Sequence, residues 1–422
     1  MNLLPVLTWS VWFSPLLDDY RTFKGESKLP VYECDKVKVQ TKHGHVRPLG
    51  RANREISFSA WQMAHAVVKA DCAREQNPRR LAVAAIGFLL EHVHLFDWRY
   101  ENELRLSAGM SDYYADFTNT SLAGRVAQGM ALLFLEEQGY AYVGRFSEVK
   151  AKLKKTGTTP AREPDFIVEN GKGKRALAEA KGAFLKPNAT CNIKGTLGDA
   201  LEQLDGWDRY ITPQPIKNFA IGTFLREVKD PFGEPSLLAF VDPEPGEPER
   251  RIEIPSDAVR RANYASWLAL MGFDDVAQRL RTGDGSPRRR TVQLIKLHGR
   301  SYVVAIAWIQ PWVSRQSLDA EFWRFIGDWP HPFWPPSRNG VWVQLFGLDL
   351  EVVRALEPAD SGLMSLNPYE RREIFSEVDG GIFYGSVFSD GSLLGELRIT
   401  RFDGPIIPRF GHPIVESIEV YL

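Results

Sequence analysis

The sequence predicts an α/β protein: a mixed-sheet core flanked by helices at 116–245, set between a mostly helical region at 1–115 and an α+β region at 246–422. Three observations carry that prediction. Segments with helical and strand periodicity follow one another from 121 to 242 as helix, strand, strand, strand, helix, strand, strand. The middle of that series is a tight hairpin, and beyond 246 strand patterns joined by short turns dominate.

The first region begins with a proline-punctuated, strand-containing lead-in. It continues with "FSAWQMAHAVVKADCAREQ" and "RRLAVAAIGFLLEHVHLF", whose apolar residues recur at three and four and so predict helices. After a break at "RLSAGMSDYYADFTNTS", the stretch "SLAGRVAQGMALLFLEEQGYAYVGRF" predicts an apolar-faced helix ending near Gly139, then a strand rich in tyrosine and valine. Glu136 and Glu137 fall in the last turn of that helix and read as solvated. The hairpin "REPDFIVENGKGKRALAEAKG" then sets Phe166, Ile167 and Val168 against Ala176, Leu177 and Ala178 across a glycine and lysine turn.

In "GTLGDALEQLDGWDRY" Leu197, Leu201 and Leu204 share one helical face, and "NFAIGTFL" and "PSLLAFVDP" read as buried strands. The proline-rich and charged "DPEPGEPERRIEIPSD" reads as a linker or surface crossing. Past it, "DAVRRANYASWLALMGFDDVAQRL" reads as one helix and "SPRRR" as a basic turn. The strands "TVQLIKL" and "SYVVAIAWI" follow, then the hairpin "GGIFYGSVFSDGSLLGELRI" turned at Asp390-Gly391. No internal repeat or low-complexity tail is visible.

The 422 residues, 44% hydrophobic and 25% charged, have the composition of an ordinary globular chain of two or three domains. A net charge of -1 means that any surface for nucleic acid is a local patch. Cys34, Cys72 and Cys191 form no CxxC pair, so a disulfide framework and a zinc knuckle are not expected and a cytoplasmic setting is. The apolar opening "MNLLPVLTWSVWFSPLL" lacks a basic start and a small-residue cleavage site and carries two prolines. Neither a signal peptide nor a membrane span is therefore expected.

Chemistry concentrates in the first hairpin. Side chains alternate along a strand, so Glu179 and Lys181 point the same way and the hairpin can bring Asp165 opposite them. Two carboxylates so close repel each other unless a cation lies between, and hard oxygen donors suit magnesium or manganese. Asp165, Glu179 and the carbonyl of Ala180 are the candidate Mg2+ (or Mn2+) ligands, with Lys181 beside a metal-bound water.

Pro164-Asp165 followed by Glu179-Ala180-Lys181 resembles the signature of the PD-(D/E)xK, or restriction-endonuclease-like, nuclease superfamily, over about 120 of the 422 residues. That resemblance implies a restriction-endonuclease-like core sheet flanked by helices and metal-dependent hydrolysis of phosphodiesters, with catalytic roles for Asp165, Glu179 and Lys181. It also makes DNA the expected substrate, with defence of a prokaryotic cell against foreign DNA as an associated role. Members often add an acid from the helix before the first core strand. This sequence departs from that pattern, because the corresponding position holds Gln128, a neutral oxygen donor that could support a metal-bound water. Gln203 is a second candidate supporting residue, and Tyr210 reads as core or rim.

Between Arg145 and Lys181 basic residues outnumber acidic ones two to one. Lys150, Lys152, Lys154, Lys155, Lys172, Lys174 and Arg175 are the candidate nucleic-acid contacts, with Arg288, Arg289 and Arg290 as a weaker second cluster. A nuclease fold that binds nucleic acid or a partner without cutting remains an alternative, consistent with Gln128. An assembly protein that works through its flanking regions is another, and those regions are the candidates for self-association or partner binding. His43 and His45, and His92 and His94, lack the spacing of a metal pair. The aromatic 328–340 segment reads as a rigid covering loop. No phosphate-binding GxxxxGK[ST] loop or GxSxG elbow occurs.

Overall fold

The computed structural model describes residues 26–36, 54–72, 95–98, 102–113, 116–150, 162–205, 207, 211–228, 234–246, 252–307, 341–357, 362–378, 381–399 and 416–422. Within them the chain is an α/β protein: a mixed seven-stranded sheet with helices, followed by a second, antiparallel seven-stranded sheet. The helices are α1 (Ala60–Cys72), α2 (Met110–Tyr113), α3 (Asp116–Glu137), α4 (Phe146–Lys150), α5 (Ile193–Leu204), α6 (Ala258–Met271), α7 (Asp274–Thr282), α8 (Leu350–Ala355) and α9 (Gly362–Ser365).

The first sheet runs in the order β2 (Arg54–Phe58), β1 (Ser27–Glu33), β8 (Leu237–Val241), β7 (Lys217–Arg226), β5 (Arg175–Leu185), β4 (Phe166–Glu169) and β3 (Tyr142–Arg145). β3, β4 and β5 form an antiparallel meander, and β5 then pairs in parallel with β7. Parallel neighbours need a crossover, and α5 supplies it. Its Asn192 cap accepts from the Gly195 N–H, and Leu197, Leu201 and Leu204 are buried as their spacing predicts. The proline-punctuated lead-in contributes β1 and β2 to this same sheet, β1 running parallel to β8. A short parallel pair, β6 (Ile211–Thr212) with β9 (Ile252–Glu253), lies apart from it.

All four residues of β4 are buried, as are Ala176, Leu177 and Ala178 of β5. A strand covered on both faces needs no polar alternation, which is why the sequence reads there as continuous apolar runs. Helix α3 lies directly on β5. A side chain at Gly182 would come within 2.2 Å of the Ala123 carbonyl, so only glycine allows this approach.

The second sheet is ordered β13 (Arg372–Val378), β14 (Gly381–Val387), β15 (Ser392–Ile399), β12 (Val341–Asp349), β11 (Arg300–Ala307), β10 (Arg289–Leu297) and β16 (Glu416–Tyr421), and the β14–β15 hairpin turns at Asp390-Gly391 as expected. The stretch from 257 to 280, expected as one helix, is two. Gly272 adopts a left-handed φ of 91°, and its N–H and that of Phe273 turn back onto the carbonyls of Ala269 and Leu268, closing α6 before α7 starts.

Helices α1 and α6 join the two sheets. α1 packs on α3 and on β14, while α6 touches β3 and β4 on one side and β11 and β12 on the other. At their meeting point Lys69 contacts Asp390 at 2.6 Å, both buried. Asn263 donates to the same carboxylate at 2.7 Å, the Ser392 hydroxyl donates to its other oxygen at 2.6 Å, and the Tyr264 hydroxyl donates to the Asp390 carbonyl. His65 lies between the hydroxyls of Ser386 and Ser392, and burial holds its imidazole down to about 3, so it is neutral.

Glu136, expected to be solvated, is instead enclosed in this seam. It accepts from the Ser389 N–H and hydroxyl and faces Arg371, and burial raises its carboxyl. Glu137 remains nearer the surface, paired with Arg371.

Candidate active site

The β4–β5 register sets Phe166 opposite Ala178, so Asp165, one residue before the strand, stands beside Glu179. A backbone N–H from each side of the hairpin holds the acid facing it. The Asp165 N–H donates to Glu179 Oε2 at 2.8 Å, and the Ala180 N–H donates to Asp165 Oδ2 at 3.1 Å. The Lys181 ammonium lies 2.7 Å from Glu179 Oε1. The side chain of Glu179 is 3% exposed, that of Asp165 19% and that of Lys181 31%, so the cluster opens to solvent through Asp165 and Lys181.

Burial, then the negative charge of Asp165, pushes the Glu179 carboxyl up to about 7, and Lys181 opposes that rise only in part. Lys181 and Arg145 set one cation beside each of the two acids. Pro164 lies just beyond the paired register, which ends with Phe166 opposite Ala178. A strand residue directs its N–H and C=O to the same neighbour, and proline has no N–H with which to engage the Ala180 carbonyl. Two carboxylates and that carbonyl are hard donors that fit a divalent ion of the magnesium type, which keeps several of its waters and needs few protein ligands. Among the described residues no group of three or more His, Cys, Asp or Glu gathers, so water must complete any coordination.

Gln128 of α3 does reach the site, though as a donor. Its Nε2 donates to Asp165 Oδ1 at 2.8 Å, while its Oε1 accepts from Arg145 Nη2 at 2.8 Å. Its oxygen therefore faces the guanidinium, where the sequence reading had it supporting a metal-bound water. Arg145 itself is the residue that sequence reasoning missed. At the end of β3 it is buried, lies over the Phe166 ring, donates to the Ala70 carbonyl of α1 at 2.7 Å, and places Nη1 3.4 Å from Asp165 Oδ1. An arginine inside the apolar run "YVGRF" was the available signal, because a buried strand keeps a guanidinium only where partners receive it.

Gln203 is half-buried near the end of α5 and, among the described residues, makes no hydrogen bond to Asp165, Glu179 or Lys181. Arg175, expected on a nucleic-acid surface, is buried. It pairs with Glu169 at 3.2 Å and donates to the carbonyls of Ile254, Pro255 and Ser256, fixing the supposed linker against the sheet. Lys150 lies against Glu163 and over the Trp207 ring. Lys172 and Lys174 are exposed at the hairpin turn, five residues of strand or roughly 17 Å from the carboxylates. Arg289 and Arg290 are paired with Glu419 and Asp275. Lys152, Lys154, Lys155, Tyr210, His43, His45, His92, His94 and the 328–340 segment lie outside the described residues.

Fold and cluster together define an α/β protein with a carboxylate pair and a lysine at the open end of a central hairpin. No protein-family model, no curated protein and no solved structure matches the chain. No helix among the described residues is long and apolar enough to cross a membrane.

Proposed function

We propose that the chain is a divalent-metal-dependent nuclease of the restriction-endonuclease-like class, hydrolysing phosphodiester bonds in nucleic acid, with DNA as the substrate class. The observation that carries this reading is the meeting of Asp165, Glu179 and Lys181 at the mouth of one hairpin. The element order supports it: α3, the antiparallel meander β3–β4–β5, the crossover α5 and the parallel strand β7 follow the order the resemblance implies.

Asp165, Glu179 and the Ala180 carbonyl would hold the ion. Once bound, the ion would polarise a phosphoryl oxygen and lower the pKa of a bound water. Lys181, the most exposed member, contributes a positive charge where a phosphate and an attacking hydroxide would meet. Gln128 and Arg145 hold Asp165 Oδ1 in a fixed direction, and the mutual backbone bonds fix the separation of the two acids.

A second reading has a specific observation behind it. Gln128 stands where an acid would strengthen metal binding, and the Arg145 cation already lies against Asp165, which favours a nuclease fold that binds nucleic acid or a partner without cutting. One incubation separates the two. Purified protein with supercoiled, linear and single-stranded DNA and with RNA, in Mg2+ or Mn2+, is expected to cut, and Asp165→Ala, Glu179→Ala and Lys181→Ala are each expected to abolish cutting while circular dichroism stays unchanged. Full activity in any of the three removes the mechanism, and retention of nucleic acid without cutting in either metal selects the second reading.

A further inference from the structure

We propose that the groove between the β4–β5 turn and the segment Asn367–Pro368 is a binding site for a small phosphate-bearing anion of nucleotide size. It lies at the opposite end of the hairpin from Asp165 and Glu179, so it is no part of the candidate active site. Its volume is about 630 Å3, in the range of small-molecule sites.

The lining is one-sided in charge. Lys172, Lys174 and Lys217 contribute three ammonium groups and no carboxylate lines the groove. Lys217 has Asp242 beside it at 2.6 Å, whereas Lys172 and Lys174 have no carboxylate partner among the described residues. The Asn170 Oδ1 accepts from the backbone N–H groups of Lys172 and Lys174, which leaves its amide nitrogen, also in the lining, out of those bonds. Asn367 adds a second amide, and Ile216, 46% exposed, supplies an apolar patch. Lysines and amides around an apolar surface match an anionic phosphate carried on an organic body.

One buried side chain fixes both walls. Arg260, held by Glu169 at 2.8 Å, donates to the Gly171 carbonyl of the turn and to the Leu363 carbonyl that leads into Asn367–Pro368. Gly171 lies so near Pro368 that a side chain there would strike the ring. The walls are therefore set before any ligand arrives, which lowers the ordering cost of binding. The volume and the fixed walls favour a compact ligand over a strand of nucleic acid.

The test is calorimetric titration of the full chain with ATP in EDTA at low salt, so that the carboxylate site takes no part, with a ten-residue oligothymidylate titrated in parallel. ATP is expected to bind, Lys172→Gln/Lys174→Gln is expected to raise its Kd at least tenfold, and Asp165→Ala is expected to leave it within twofold. Absence of binding at millimolar ATP, or an unchanged Kd in the double variant, overturns the proposal. So does binding of the oligonucleotide alone with dependence on Lys172 and Lys174, which would make the groove a nucleic-acid surface.

Discussion

Replacing Glu179 by glutamine should make the protein more stable at alkaline pH. In the fold this carboxyl titrates at about 7 against an ordinary 4.5, because it is buried and faces Asp165. A carboxyl raised in this way stays neutral in the folded chain while the unfolded chain ionises it. Its contribution is therefore intact below about 4.5 and is lost as pH rises through about 7. At roughly 1.4 kcal/mol per step of one in pKa, the ionised form costs the fold about 3 kcal/mol. Glu179→Gln keeps the shape and removes that cost. In urea denaturation the variant should gain under about 1 kcal/mol at pH 5 and about 3 kcal/mol at pH 8.5, relative to the wild type. Adding Mg2+ at pH 8.5 should restore the wild type toward the variant and leave the variant unmoved. A gap that stays constant between the two pH values refutes the reasoning, since only an ionisation difference makes it grow.

Two further outcomes follow from the packing. Asp390→Ala leaves the Lys69 ammonium buried without its carboxylate, and should cost about 3–5 kcal/mol in chemical denaturation, with Lys69→Met on the same background recovering part of the loss. Gly182→Ala puts a methyl group 2.2 Å from the Ala123 carbonyl and 2.7 Å from Ala127 Cβ, so α3 must lift from β5. A loss of roughly 1–3 kcal/mol and a drop in cleavage are expected, because Gln128 rides on that helix; an unchanged denaturation midpoint would show that the helix has room.

What the sequence made legible was local. The hairpin, its turn and the pairing of Asp165 with Glu179 follow from two apolar half-strands of matched length around Asn170–Lys174, and the face of α5 follows from its leucine spacing. What stayed hidden was set by distant chain. Arg145 reads as one more cation in a basic stretch, and only the Ala70 carbonyl, 75 residues earlier, makes it a buried member of the site. Arg175 ends a lysine-rich turn and resembles a phosphate contact until the carbonyls at 254–256 cover it. Glu136 reads as the solvated end of a helix because Ser389, which encloses it, lies 253 residues downstream. In each instance a charged side chain is claimed by backbone groups that no periodic pattern announces.

The bond between Lys69 and Asp390 spans 321 positions of the chain. Lys69 precedes Ala70, whose carbonyl anchors Arg145, so α1 links the β14–β15 turn to the guanidinium beside Asp165. A change at that far turn is therefore linked to the carboxylate pair by a short relay of polar contacts, from Asp390 to Lys69, from Ala70 to Arg145 and from Arg145 to Asp165.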